Sequence, residues 1–335
     1  MHLFKDKETF EQLIIATGAA KSLSEAIVEK DYYVSMLLRE LSERLPDIVF
    51  KGGTSLSKAY HVIDRFSEDI DLTFVARLKN TELKRSKECI IAIIADLGLE
   101  LANPDRVMSR RRFNCYEIYL DNLRPNHALK EHLLIETFAH YVPYPVVEKR
   151  ISNYIFEYLE SIDRIDLAEV FPELKPFSMK VQSIERTYID KIFAVMDHYV
   201  KCNSIGLSRH LYDLHKIAEH VDVKSETIRS LFLDVQKELA VDVEQNPSAE
   251  IGFACQKVLI SLLESDYYKA DYESITAQLI QDNMSYEAVK LFLLVTFENM
   301  CDCFARPTKF RVRYRNESPK KGCYRPTRMR CGTIL

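Results

Sequence analysis

Two short runs constrain this chain more than anything else in it. The first is Phe50-Lys-Gly-Gly-Thr-Ser-Leu-Ser-Lys and the second, shortly after, is Arg65-Phe-Ser-Glu-Asp-Ile-Asp-Leu-Thr-Phe. Asp47 to Phe50 is a short β-type stretch that stops at Lys51-Gly52-Gly53. A helix-like run follows from Ser55 to Ile63, and Ile70 to Val75 alternates as a strand does. The predicted order is therefore strand, Gly-Gly, helix, strand, with Asp69 and Asp71 at the head of the second strand. Side chains two apart on a strand share a face. Two carboxylates then stand side by side, while Ile70 and Leu72 point the other way into a core.

Adjacent carboxylates repel each other and need something to neutralise them. Mg²⁺ is a hard cation that takes protein oxygens and phosphates together. Two such ions about 3.5–4 Å apart clamp both oxygens of a phosphoryl displacement. Gly52 and Gly53 have no Cβ, so backbone N–H groups there approach a ligand closely. The helix start behind them favours an anion, and Thr54 and Ser55 add hydroxyl donors. Together these four residues form a candidate triphosphate cradle. Each part alone is a weak signal, since D-x-D pairs arise by chance and Gly-Gly pairs are usually turns. Their combination at this distance is the specific one.

Around this segment the chain reads as α+β. Residues 6–17 and 22–41 read as helices, the second opened by a capping-box pattern of Ser22 and Glu25. Asp31 falls on the apolar face of that helix with Ile27, Val34, Leu38 and Leu41, and a helix-edge ion pair with Lys30 or Arg39 is its plain explanation. Residues 81–97 are helical, and Cys115–Leu120 and Leu133–Phe138 read as strands. Strand signals stop near residue 146, with helices expected at 148–160, 180–201, 208–220, 224–240, 249–264 and 285–303. The expected division is an α/β domain over 1–146, a helical domain over 147–305 and a basic, flexible tail over 306–335, with a ligand in the cleft between the first two.

The net charge of −4 hides an asymmetry. From Arg306 onward there are ten Lys or Arg against Glu317 alone, net +9, so the preceding residues carry −13. Such a tail suits contact with nucleic acid, and equally a solvated end. Arg106, Arg110, Arg111 and Arg112 form a second basic cluster, readable as a guide for an RNA backbone or as a solvated loop. The eight cysteines form no C-x-x-C pair, and Cys301-x-Cys303 suits neither zinc nor redox chemistry. Without a signal peptide or an apolar run of membrane length, a reduced cytoplasmic setting and no membrane contact are expected.

The run "FKGGTSLSKAYHVIDRFSEDIDLTF" resembles the AbiEii/AbiGii nucleotidyltransferase toxins, which include the mycobacterial MenT toxins, within the DNA polymerase β nucleotidyltransferase superfamily. That superfamily's signature of a Gly-Gly turn, a helix and D-h-D is met by Gly52-Gly53 and Asp69-Ile70-Asp71, and Glu29-Lys30-Asp31-Tyr32-Tyr33 resembles the segment these toxins carry before the first strand. The resemblance covers residues 25–220 and is strongest at the first motif. It implies a polymerase β-type domain with a small mixed sheet followed by a helical lobe. It also implies two further motif residues, Lys191 in "ERTYIDKIFAV" and Asp213 in "SRHLYDLHKI". Lys191 interrupts the apolar stripe of Ile184, Tyr188 and Val195, so it needs either an anionic partner, an NTP phosphate or a nearby acid, or a route to solvent by snorkelling. Asp213 also fits a surface ion pair with Arg209 at i, i+4. Many such enzymes take a third metal-binding carboxylate from a neighbouring strand, and Glu136 is the better candidate, ahead of Asp121.

The activity implied is transfer of NMP from NTP with Mg²⁺ or Mn²⁺. Asp69, Asp71, Lys191 and Asp213 would be catalytic, Gly52 to Ser55 with Lys191 would bind nucleotide, and Asp69, Asp71 and Glu136 would hold metal. The implied setting is a toxin–antitoxin or phage-defence pair, with a cognate antitoxin and an RNA acceptor such as a tRNA 3′ end. A protein acceptor, or a regulator that binds nucleotide or nucleic acid without transferring anything, stands as the alternative.

Overall fold

The computed structural model describes residues 2–67, 69–120, 124 and 132–300. Its strands are β1 (Ile48–Lys51), β2 (Ile70–Phe74), β3 (Glu100–Leu101), β4 (Phe113–Tyr119), β5 (His132–Phe138), β6 (Val146–Ile151) and β7 (Phe177–Gln182). They form one mixed sheet in the order β3-β4-β5-β2-β1-β7-β6. β2 lies antiparallel to β1 and parallel to β5, while β1 lies parallel to β7. The register aligns Lys51, Asp71 and Glu136 across three neighbouring strands, so all three sit on one face.

The opposite face is the apolar one. Ile48, Phe50, Ile70, Leu72, Leu133 and Ile135 are all buried there in one core. The same core takes residues from α1 (Lys7–Lys21), α2 (Glu25–Arg44), α4 (Asn80–Asp96) and α5 (Tyr154–Ser161). Between β1 and β2 runs the short helix α3 (Gly52–Lys58). Beyond a single turn, α6 (Leu167–Val170), and β7 come α7 (Ile184–Val200), α8 (Arg209–Ala218), α9 (Glu226–Leu239), α10 (Cys255–Glu264) and α11 (Tyr286–Glu298). These build a second core around Tyr188, Ile192, Leu211, Phe232, Leu259 and Leu293, joined by Leu56 of α3 and by Ile63. The D-x-D segment therefore lies between two cores and belongs partly to each.

The α+β expectation holds, but three local expectations change. The sheet does not end near residue 146: β6 and β7 lie beyond it, so the expected boundary falls inside the sheet and the expected helix at 148–160 is first a strand. β6 is an edge strand whose Glu148, Lys149 and Arg150 break apolar alternation. Ser22 does not cap α2; it closes α1 at φ 55°, and Ser24 accepts from the Ile27 amide instead. Asp31 pairs with neither Lys30 nor Arg39. It is buried, taking Lys58 Nζ of α3 at 2.5 Å and the Tyr154 amide at 2.8 Å, and so ties α2 to α3 and α5. Among the described residues no helix is long and apolar enough to cross a membrane.

Candidate active site

The sheet side of the site is built by close approach. Gly52 opens α3 directly after β1 with φ +76°, a conformation L side chains rarely adopt, and a Cβ there would run into the Asp71 carboxylate. A Cβ on Gly53 would lie 2.7 Å from Arg65 Nη2 and 3.0 Å from Ser67 Oγ. The two glycines thus let Asp71 and Arg65 crowd the start of α3. Thr54 and Ser55 do not offer their hydroxyls to a ligand, contrary to the sequence expectation. Both are fully buried. Thr54 Oγ1 donates to the Asp69 carbonyl at 2.5 Å and lies 2.9 Å from Ser67 Oγ; Ser55 Oγ donates to the Gly52 carbonyl at 2.8 Å. Their work is to hold the glycine turn against the strand that carries the acids. Burial pushes the Asp71 carboxyl above its usual range and the Asp69 charge adds to this, against the pull of Lys51, Lys191 and Arg209.

The helical side is built by charge. Lys191 of α7 is 5% exposed, and its Nζ donates to Asp213 Oδ2 of α8 at 2.6 Å. Arg65, in the connection between α3 and β2, reaches the same carboxylate with Nε and Nη2, both at 2.7 Å. Asp213 is wholly buried, which alone would raise its carboxyl, yet Arg65 and Lys191 hold it below the usual range. Burial lowers the Lys191 ammonium, Asp213 opposes this, and Arg65 reinforces it. His210 Nδ1 lies 3.4 Å from Lys191 Nζ, and burial with the neighbouring Lys191 charge drives this histidine well below its ordinary value. Of the sequence readings for Lys191, the nearby acid is the partner seen, and the i, i+4 pair of Arg209 with Asp213 does not form. Arg209 instead lines the cleft.

Between the two sides lies a cleft with two connected chambers. The inner one, about 190 Å³, is lined by Gly52, Gly53, Asp69, Asp71, Lys191 and Arg209. The outer one, about 410 Å³, shares Lys51, Phe138, Gln182 and Asp190 with it and adds Tyr141 and Phe193. Asp69, Asp71, Lys191, Gly52 and Gly53 therefore converge, and Asp213 stands directly behind Lys191.

Glu136 is next to Asp71 in register, but among the described residues no three of His, Cys, Asp and Glu gather closely enough to hold an ion. Asp121, Cys301, Cys303 and the basic tail lie outside the described residues. Arg106, Arg110 and Arg111 are exposed, whereas Arg112 donates to the Ala139 carbonyl at 2.9 Å. Sequence reasoning gave no role to Arg65, Ser67, Lys51 or His210. Arg65 and Ser67 had one available signal, their place in the run that leads into Asp69.

A mixed sheet that raises an acidic pair against a helical lobe is an architecture of nucleotidyltransferases, and the comparisons agree. The chain belongs to the AbiEii nucleotidyl transferase toxin family of type IV toxin–antitoxin systems, which it matches over residues 36–289. That match runs well beyond the stretch that carries the resemblance in sequence. Among solved structures, MenT4, a nucleotidyltransferase toxin from Mycobacterium tuberculosis H37Rv, superposes with a TM-score of 0.54 at 18% identity, over 82% of this chain and 83% of its own. This is a likeness of fold. JHP933 from Helicobacter pylori aligns over 81% of this chain and 91% of its own at 16% identity, with a TM-score of 0.43 on which nothing rests. No curated protein matches the chain. The protein is thus a toxin nucleotidyltransferase, and its type IV family implies an antitoxin partner.

Proposed function

We propose that the protein transfers a nucleoside monophosphate from an NTP to a hydroxyl of an RNA acceptor, a tRNA 3′ end, in the cytoplasm. The observation that carries this reading is the opposition of Asp69 and Asp71 to Lys191 and Arg209 across one small chamber. Acids alone would repel a triphosphate, and cations alone would bind one without activating it.

The donor set at the acidic wall suits Mg²⁺ or Mn²⁺: two carboxylates on one face, Asp71 carrying a charge that its surroundings disfavour. Asp69 and Asp71 would hold the ion, which supplies neutralisation of charge at the reacting phosphate. The chain's own groups do the rest. The Gly52 and Gly53 backbone and the Lys191 ammonium receive the triphosphate, and Arg209 adds charge on the helical side. Asp213 fixes where Lys191 points. Phe138 and Tyr141 give the outer chamber aromatic side chains on which a base can stack. The acceptor hydroxyl attacks the α-phosphorus in line and pyrophosphate leaves. Catalysis is then mostly positioning and charge neutralisation.

The test is label transfer from each of four α-³²P NTPs into total RNA with Mg²⁺, by the wild type and by Asp71→Asn. Label in small RNA from the wild type, lost at least about a hundredfold in the variant, is the expected result. Label on protein alone would remove the RNA acceptor, and label made equally by both proteins would remove the role given to Asp71.

A further inference from the structure

Arg65 lines the inner chamber and carries a buried charge that the reaction above does not use. It is 4% exposed, and its hydrogen bonds go to Asp213 and to the Phe66 carbonyl. Nε and Nη2 are spent on the two oxygens of Asp213, and Nη1 lies 3.4 Å from the Phe66 carbonyl. Gly53 makes room for it, since a side chain there would meet Nη2. A bidentate guanidinium–carboxylate pair is the strongest arrangement these groups have. Lys191 then comes to a carboxylate that is already matched, sharing only Oδ2.

The charge count shows what this does. Arg65, Lys191 and Asp213 together carry one net positive charge. Remove Arg65 and the remaining pair is neutral, with the Lys191 charge consumed by Asp213. An ammonium has three donors. Asp213 takes one, and His210 Nδ1 stands at 3.4 Å from the nitrogen.

We infer that Arg65 is a positioning residue: by satisfying Asp213 it leaves Lys191 as a net positive charge, held in place and available to the triphosphate. Arg65 acts through Asp213 and need not touch the ligand. The inference rests on the triphosphate-binding reading of the chamber, and its test separates the two.

The probe is inorganic tripolyphosphate with Mg²⁺, which has no base and needs no acceptor. Its affinity is measured by calorimetry on the full chain, with thermal melting to establish that each variant is folded. Arg65→Gln weakens binding about tenfold or more, the scale of one charge-assisted contact. Arg65→Lys keeps the charge and stays within a few-fold of wild type. The decisive protein is the double variant Arg65→Gln with Asp213→Asn. It restores the net single positive charge, and so binds tripolyphosphate more tightly than Arg65→Gln alone, a coupling of opposite sign to simple damage. A double variant as weak as the single, or weaker, overturns the inference, as does wild-type affinity in Arg65→Gln. A wild type that binds no tripolyphosphate removes the triphosphate reading itself, and the inference with it.

Discussion

The two sides of the cleft are made in different ways. The sheet side is local: Gly52, Gly53, Asp69 and Asp71 come from one strand–helix–strand unit, and what shapes them is the lack of room for a Cβ. The helical side is assembled from separated segments, with Arg65, Lys191 and Asp213 meeting through charge. The sheet side keeps two like charges together at a cost. The helical side sets two cations against one buried carboxylate and keeps one net positive charge. One wall should therefore be destabilising to the empty protein and functional, the other stabilising and functional.

The sharpest break of this contrast is Asp213→Ala. It strands two buried cations without their counter-charge, which costs about 3–5 kcal/mol. The melting temperature should fall by roughly 4–7 °C, read by calorimetry or circular dichroism. A melting temperature within about 2 °C of wild type would mean that the charge cluster does not hold the lobe together.

Gly52→Ala comes next, and probes packing instead of charge. Positive φ and the approach of Asp71 together should cost about 2 kcal/mol or more. In an Asp71→Ala background the carboxylate is gone, and the backbone strain remains together with the 2.9 Å approach of the Cβ at position 71, so the cost should be smaller. Equal costs in both backgrounds, measured by denaturant unfolding, would show that the carboxylate does not set the glycine requirement.

The smallest effect has the opposite sign. Burial raises the Asp71 carboxyl in the folded state. The folded form then binds protons more readily than the unfolded one. Stability of the metal-free protein therefore falls as pH rises from the ordinary carboxylate range through the raised folded value. Asp71→Asn escapes this penalty. Without divalent ions it should melt above wild type at pH 7, with the gap closing below about pH 4. Adding Mg²⁺ should stabilise only the wild type. An Asp71→Asn protein less stable than wild type in EDTA would put the acidic pair on the stabilising side and erase the contrast.

The same division explains what could be read in advance. The acids and the glycine turn are contiguous, and period-two alternation puts Asp71 opposite Ile70 and Leu72, so the sheet side was legible. Lys191 was half legible, because a lysine in an apolar stripe announces that it needs a partner without naming one. Arg65 meets Asp213 only in three dimensions, across 148 positions of chain. The roles expected of Thr54 and Ser55 failed for a related reason: a hydroxyl beside a glycine turn looks the same in sequence whether it faces a ligand or a neighbouring carbonyl. β6 was missed because an edge strand can carry charges on consecutive residues, and Ser22 because Ser-Leu-Ser offers two caps and only the backbone at Ser22 decides between them.

The segment that leads into Asp69 is also fastened from far along the chain. The Asp64 amide donates to Tyr212 Oη at 3.1 Å, and the Gln281 amide donates to the Asp64 carbonyl at 2.8 Å. Lys216 Nζ bridges Asp64 and Asp282, at 2.9 Å to each. During synthesis the acidic pair leaves the ribosome long before the residues that anchor it. A nascent chain has its reactive carboxylates early and its finished cleft only once Asp282 has emerged. The position of the acids thus depends on contacts made by residues synthesised well after them.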